Sequence, residues 1–145
     1  MTVYYTDASA LLAGYLADGA RVDRVRTLLR GVGLRVVASR LVDVEVPRAF
    51  ATGVRLGLIP PDLLDPLLDR YDRDVEHDRP ELIGLEPKAI SRARELVHQH
   101  DLRTLDAIHL AVAETMGETT AEDLVFVTQV QPQAAVARDL GIEVF

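Results

Sequence analysis

The sequence has no cysteine, and its only lysine is Lys88. The lack of cysteine excludes disulfide bonds, thiolate metal sites and a thiol nucleophile, and it agrees with a reducing compartment. Long apolar runs are also missing, because none approaches the roughly 18 residues needed to span a bilayer. The N-terminus shows no basic segment followed by an apolar stretch, as a secretory signal would. We therefore expect a cytoplasmic protein with no membrane segment.

The sequence also lacks the histidine spacing that is typical of zinc proteases. The sequence contains no HExxH pattern, so a zinc hydrolase of that type is not indicated. A single histidine such as His109 is more often a structural residue than a metal ligand. The four histidines are His77, His98, His100 and His109.

The composition is that of a globular chain. With 48% hydrophobic and 27% charged residues, residues 1–145 are expected to form a single domain. Charge is uneven, because residues 1–60 hold eight arginines against five acidic residues, whereas residues 61–145 hold eight basic against eighteen acidic ones. Arginines suit phosphate groups, since a guanidinium binds two oxygens at once. The alternative is that Arg21, Arg24 and Arg30 only form the solvated face of a helix at 20–31.

Strand-like and helix-like segments alternate along the chain, which is typical of an α/β fold with a parallel sheet and helices on both faces. The charged stretch 70–80 is predicted to be a solvated loop. The predicted strands are 2–7, 34–38, 82–85, 124–128 and 142–145. The predicted helices are 8–17, 20–31, 40–56, 61–72, 87–99, 103–117 and 131–140.

An acidic residue stands where the first strand meets the first helix, in TVYYTDASALLAGYL. Asp7 or Ser9 can cap that helix by accepting hydrogen bonds from its free N–H groups. A functional role is compatible with capping, because ligands of open parallel sheets bind at the carboxyl ends of strands. The choice depends on whether other acidic residues converge there.

A second acidic residue, Glu45, lies on the apolar face of the predicted helix 40–56. On a helical wheel of about 100° per residue it falls between Leu41 and Ala49, where a surface glutamate would not be placed. Burial of an unpaired carboxylate is costly, so this side chain needs a cation, a shifted pKa or a place at the rim of a cleft. Arg48, three residues further on, is one candidate partner.

The third acidic residue is Asp106, in LRTLDAIHLAVAETMG. Thr104 is the expected helix cap, and Asp106 then lies in the first turn, where the helix dipole favours an anion whatever its function. Asp106 also shares a face with Leu110 and Ala113, which turns its carboxylate inward. Converging carboxylates suit Mg²⁺ or Mn²⁺, and a cation held in this way supports nuclease chemistry.

Four segments, in this order along the chain, resemble the PIN-domain family and in particular its VapC-type toxin ribonucleases. LRTLDAIHLA is the most specific of them, and the resemblance extends over nearly the whole chain. The segments are YTDASAL, the helix of Glu45, LRTLDAIHLA, and LVFVT followed by an alanine-rich helix and LGIEV.

The resemblance implies a three-layer α/β/α sandwich with a central, mostly parallel sheet. It also implies Mg²⁺- or Mn²⁺-dependent cleavage of single-stranded RNA by the toxin of a toxin–antitoxin pair. A homodimer is implied as well, together with an antitoxin whose C-terminal segment enters the active-site groove. The matching catalytic positions are Asp7, Glu45 and Asp106 as metal ligands, with Ser9 and Thr128 as supporting hydroxyl groups.

The chain departs from the family at one position. The family usually has a fourth aspartate two residues after the position of Thr128, where this chain has Val130. Gln129 and Gln131 offer neutral oxygens but no charge, which puts a second metal site in doubt. Two functions stay open: an active endoribonuclease, or a binding module of PIN fold that has lost efficient catalysis. A phosphoacceptor domain with Asp7 as acceptor is disfavoured, because no lysine follows the LVFVT strand.

The segment LIPPDLLDPLLDRY carries more apolar surface than one helix of a small domain needs. We expect part of its stripe, together with the helix of Glu45, to form a homodimer contact or an antitoxin groove. The alternative is packing onto the core of the same chain. The stripe consists of Leu63, Leu64, Leu67, Leu68 and Tyr71.

Overall fold

The computed structural model describes residues 1–145 and contains one sheet of five parallel strands. The strands are β1 (Thr2–Thr6), β2 (Arg35–Ser39), β3 (Glu81–Ile83), β4 (Asp123–Val127) and β5 (Glu143–Val144). The helices are α1 (Ala8–Leu16), α2 (Ala20–Arg30), α3 (Val42–Arg55), α4 (Leu64–Glu76), α5 (Pro87–Gln99), α6 (Thr104–Thr119) and α7 (Gln131–Asp139). None of these helices is both long and apolar enough to span a membrane.

β1 lies at the centre of the sheet, in which the strands follow the order β3-β2-β1-β4-β5. The chain first winds to the β2 side of β1 and later to its β4 side. The carboxyl edge between β1 and β4 is therefore the switch point of the sheet, where α/β proteins bind their ligands. Thr6 pairs with Val127 at this edge, so the next residues, Asp7 and Thr128, lie side by side.

Helices cover both faces of the sheet, and the predicted three-layer sandwich is confirmed. On one face Tyr5 and Phe126 stack with ring centroids 5.5 Å apart, among buried residues of α5, α6 and α7. On the other face Ala38 packs in a cluster with Phe50 of α3 and Tyr71 of α4. α1 and α2 complete this second layer around the end of β4.

The main departure from the predicted elements lies between the second and third strands. The predicted helix 61–72 is a short 3₁₀ turn followed by α4, which extends to Glu76. Most of the stretch 70–80 is thus helical, and its prediction as a loop is wrong. Contacts with other helices hold it, because Tyr71 is buried and donates a hydrogen bond to Asp43 of α3.

The leucine stripe of α4 packs mostly onto its own domain. Tyr71 is buried, and Leu64, Leu67 and Leu68 pack against the cluster formed by α1, α3 and α4. Leu63, at the start of the stripe, is 44% exposed. Packing within the chain therefore accounts for most of the stripe, and its most exposed residue, Leu63, offers the largest surface for a contact with another chain.

Candidate functional site

Asp7 caps α1 and is almost completely buried, with 2% of its surface exposed. Its Oδ1 accepts a hydrogen bond from the Ala10 N–H at 3.0 Å. Burial raises the pKa of Asp7 above its ordinary value, although the hydrogen bonds from Ala10, Ser9 and Thr128 act in the opposite direction. Asp7 makes no salt bridge. The cap is therefore present, but capping does not explain why a carboxylate is buried without a cationic partner.

Two hydroxyl groups contact the Asp7 carboxylate. Ser9 Oγ lies 2.8 and 2.9 Å from its two oxygens, and Thr128 Oγ1 lies 2.8 Å from Oδ2. Each hydroxyl also accepts a backbone N–H, from Gln129 at 2.9 Å for Ser9 and from Val130 at 3.0 Å for Thr128. These bonds tie the start of α1 to the segment after β4. Asp7, Ser9 and Thr128 thus meet at one point of the carboxyl edge.

A buried glutamine of α7, Gln133, extends this network. Its Oε1 lies 2.6 Å from Thr128 Oγ1, and its Nε2 donates to the backbone carbonyl of Asp106 at 3.0 Å. Thr128 has one hydroxyl hydrogen, whereas two acceptors, Asp7 and Gln133, lie within reach. Reversing the Gln133 amide would lose its bond to Asp106. When Asp7 is ionised, Thr128 can therefore donate to only one of these two acceptors, whereas a proton on Asp7 would donate to Thr128 and free the Thr128 hydrogen for Gln133.

Glu45 contacts His109 of α6 rather than Arg48. His109 Nε2 lies 2.6 Å from Glu45 Oε1, and its Nδ1 lies 2.9 Å from the Tyr5 hydroxyl oxygen. Burial raises the pKa of Tyr5 well above its ordinary value. Because a carboxylate oxygen only accepts, Nε2 carries the ring hydrogen and donates to Glu45. In the neutral ring, Nδ1 then accepts from the Tyr5 hydroxyl. Arg48 makes no salt bridge, and its pairing with Glu45 is not found.

Asp106 lies in the first turn of α6, and its side chain is 18% exposed. Its carboxylate is 3.5 Å from the guanidinium of Arg103, which is itself 85% exposed. Thr104 is the first residue of the helix rather than its cap, and Arg103 before it makes no side-chain capping bond. Only the backbone carbonyl of Asp106 joins the network of Asp7, through Gln133.

Val130 is the N-cap residue of α7, and it leaves that helix without a side-chain cap. Val130 lies next to Asp7 and its hydroxyl partners, since the Val130 N–H donates to Thr128. No acidic residue nearby in the sequence supplies the carboxylate that Val130 lacks. Glu122 and Asp123 lie at the opposite end of β4, where Glu122 pairs with Arg35 at 2.7 Å.

The fit of a metal ion depends on how many carboxylates are required. No three histidine, aspartate or glutamate side chains lie close enough to hold a metal ion together. Mg²⁺ seldom needs such a cage, because one or two carboxylates usually hold it while waters and substrate phosphates complete its shell. Asp7 fits that mode: its buried charge lacks a cationic partner, and at most three donors occupy its roughly four acceptor positions. The residues suit a hard divalent cation held mainly by Asp7.

Sequence reasoning missed three residues of this network: Tyr5, His109 and Gln133. The histidine pattern predicts a structural role for His109 but not its link between Tyr5 and Glu45. The sequence does offer one signal for the position of His109. This residue follows Asp106 by three positions, so the two side chains lie on the same side of the helix. Nothing in the sequence distinguishes Tyr5 or Gln133 from ordinary strand and helix residues.

Comparison with curated proteins gives no match. Solved structures share the fold, and the chain in the VapBC2 structure from Rickettsia felis, bound to a DNA fragment from its promoter, superposes with a TM-score of 0.67. That chain is 11% identical, with 99% of this chain and 97% of that chain covered. PAE2754 from Pyrobaculum aerophilum has a TM-score of 0.64 and 21% identity, with 92% and 84% covered. The sarcin-ricin loop cleaving toxin VapC20 from Mycobacterium tuberculosis has a TM-score of 0.64 and 17% identity, with 92% and 94% covered.

These identities establish a shared fold and nothing finer. The sequence itself matches the family model of the PIN domain over residues 4–128, which is most of its length. The chain therefore belongs to the PIN-domain family.

Proposed function

We propose that this protein is a metal-dependent endoribonuclease that cleaves single-stranded RNA. The observation that carries the proposal is the Asp7 carboxylate, which is buried at the switch point of the sheet without a cationic partner. A divalent cation would compensate this charge. Membership of the PIN-domain family supports the assignment, because proteins of this family are generally nucleases.

Asp7 would hold Mg²⁺ or Mn²⁺ directly, and Glu45 and Asp106 would contribute through water molecules. When bound, such a cation lowers the pKa of a water molecule and stabilises the leaving oxygen of a phosphodiester. The protein's own residues prepare this site. Ser9 and Thr128 hold the Asp7 carboxylate by hydrogen bonds, and His109 of α6 holds Glu45.

Cleavage of a mixed-sequence single-stranded RNA in Mg²⁺, in Mn²⁺ and in EDTA tests this proposal. We expect cleavage with either metal and none in EDTA. Cleavage that persists in EDTA would contradict the metal dependence. A folded protein that binds RNA but leaves it intact with both metals would instead support a binding module. Val130 is the observation that favours this second candidate, because it stands where the family usually has a fourth carboxylate.

We further propose that the protein acts in the cytoplasm as the toxin of a toxin–antitoxin pair. Its structural neighbours include VapBC2 and the toxin VapC20, which supports this assignment by analogy. Expression of the chain alone, and together with the product of the adjacent reading frame, tests it. We expect growth arrest in the first case and relief in the second. Arrest that no neighbouring product relieves would contradict the antitoxin proposal.

Replacing Val130 by aspartate is expected to strengthen metal binding and raise cleavage. The new carboxylate would add charge beside Thr128, and it would also cap α7, which has no side-chain cap. Because Val130 is only half-buried, the cap should raise the free energy of unfolding by about 1 kcal/mol. Titration calorimetry with Mn²⁺ and urea unfolding measure the two effects.

Val130→Asn is the matched control, because asparagine caps the helix without adding charge. It should reproduce the gain in stability but not the gain in metal affinity. Equal Mn²⁺ affinity in the two variants would contradict a role for charge at this position.

A homodimer is the remaining part of the proposal. Leu63, in the 3₁₀ turn before α4, is 44% exposed, and Val44, on α3, is 70% exposed. A contact between two copies of the chain would cover these apolar side chains. Light scattering should show a dimer of the wild type at micromolar concentration and a monomer of the double variant Val44→Lys, Leu63→Lys. Leu16→Lys, on α1, is the control and should leave the dimer intact. A monomeric wild type would contradict the proposal.

A further inference from the structure

A polar cavity lies between α1, α2 and α4, away from Asp7, and has a volume of about 180 Å³. Tyr15 lines it from α1. Leu11 and Gly14 of the same helix also line it, whereas Asp7, Ser9 and Thr128 do not, so this cavity is distinct from the candidate site. Its charged and aromatic lining residues are Tyr15, Arg26, Arg30, Arg70, Asp74 and Arg79.

Four guanidinium groups and one carboxylate line this cavity, in a protein whose net charge is −7. The carboxylate, Asp74, accepts a hydrogen bond from the Tyr15 hydroxyl at 2.5 Å. Arg70 and Arg79 make no salt bridge with Asp74 or with any other acidic residue. Arg26 is paired with Asp23, its Nη1 lying 2.8 Å from Oδ1, whereas Arg30, Arg70 and Arg79 have no such partner. These positive charges repel one another, and an anion between them relieves that repulsion.

The walls of the cavity are held in place by contacts within the protein. Arg26 donates to two backbone carbonyls at the end of α1, at 3.1 and 2.7 Å. The guanidinium of Arg70 stacks over the Tyr15 ring, 5.4 Å from its centroid. The backbone N–H of Arg79 donates to the Asp74 carbonyl at 2.8 Å. The side-chain N–H groups of Arg70 and Arg79 thus remain for a ligand. Arg70 is already held against Tyr15, and the backbone of Arg79 is fixed beside it.

We propose that this cavity binds one phosphate group, either as free phosphate or as part of a nucleotide or RNA chain. A guanidinium presents two parallel N–H donors that match two phosphate oxygens, and Arg70 and Arg79 have these donors available. Sites that enclose drug-sized ligands have volumes of about 300–1,000 Å³, and this cavity is smaller than that. It therefore takes the phosphate and leaves any attached sugar and base outside.

Titration calorimetry with inorganic phosphate at constant ionic strength tests the site itself. We expect saturable binding that weakens at least about tenfold in Arg70→Gln and in Arg79→Gln. Arg73→Gln is the control, because Arg73 is an exposed arginine of the same helix that does not line the cavity. Arg79 is exposed, so its variant keeps the test valid if Arg70→Gln unfolds. No saturable binding, or equal binding by all four proteins, would overturn the proposal.

Binding of a single-stranded RNA in EDTA distinguishes the two sources of the phosphate. Weaker RNA binding by Arg79→Gln than by Arg73→Gln, with competition by inorganic phosphate, would support the site and assign the phosphate to an RNA chain. Unchanged RNA binding beside lost phosphate binding would support it and assign the ligand to a free phosphate or nucleotide. An acidic peptide that binds where phosphate does not would overturn it. The phosphate titration needs no cleavage, so its outcome is independent of the proposed ribonuclease activity.

Discussion

Asp7→Asn is expected to reduce metal-dependent RNA cleavage by at least roughly a hundredfold while the fold stays intact or becomes slightly more stable. Cleavage is lost because the amide cannot replace the charge of the carboxylate. The fold is kept because the amide oxygen still accepts the Ala10 N–H, and the amide nitrogen can donate to Thr128. The Thr128 hydroxyl hydrogen is then free for Gln133. A cleavage assay and urea unfolding measure both effects.

The stability difference between these two proteins is expected to depend on pH. Burial raises the pKa of Asp7 in the folded state, so the folded protein binds this proton more tightly than the unfolded chain does. The wild type therefore loses stability as pH rises from the unfolded to the folded pKa, whereas asparagine does not titrate. In EDTA, the advantage of Asp7→Asn should be larger at neutral pH than at about pH 4. Retained cleavage, or a large loss of stability at neutral pH, would favour a purely capping role for Asp7.

His109→Ala is expected to lower the free energy of unfolding by about 3–5 kcal/mol. The imidazole is 1% exposed, so its removal leaves a cavity in the core. The substitution also leaves the buried Tyr5 hydroxyl without its acceptor and Glu45 without its donor. Cleavage should fall as well, because Glu45 is no longer held in place. Urea unfolding and the cleavage assay measure the two consequences.

Tyr5→Phe separates the hydrogen bond from the packing. It removes only the hydroxyl that donates to His109, so we expect a smaller loss, of about 1–2 kcal/mol, with Glu45 still held. Cleavage should stay closer to the wild-type level than in His109→Ala. A loss of stability below about 1 kcal/mol in His109→Ala would contradict the structural role of this network.

The sheet and the position of Asp7 could be predicted from the sequence, because both depend on local patterns. Apolar periodicity and the change from β-branched to helix-forming residues place the seam at Asp7. Parallel pairing then brings Thr128 to the same edge, since β1 and β4 end in register. The contact depends on the pairing of β1 with β4, which local patterns do not give, so the sequence indicates Thr128 only through its resemblance to the PIN-domain family.

The partners of the acidic residues could not be predicted in the same way. A helical wheel gives the direction of Glu45 but not its distance from α6, and His109 is 64 residues away along the chain. The nearby Arg48 is the natural candidate from the sequence, yet the tertiary contact excludes it. The charged stretch of α4 is a similar case, because its composition favours a loop whereas the distant contact between Tyr71 and Asp43 keeps it helical.

Binding of Mn²⁺ to the metal-free wild type and to Asp7→Asn, measured by titration calorimetry, tests the central claim most directly. The claim is that the buried Asp7 carboxylate holds a divalent cation at the carboxyl edge of the sheet. We expect at most one tight site in the wild type, because Val130 removes the charge that would support a second, and loss of that site in Asp7→Asn. Thermal melts should show that both proteins are folded. No Mn²⁺ binding by the folded wild type, or equal binding by the two proteins, would contradict the claim.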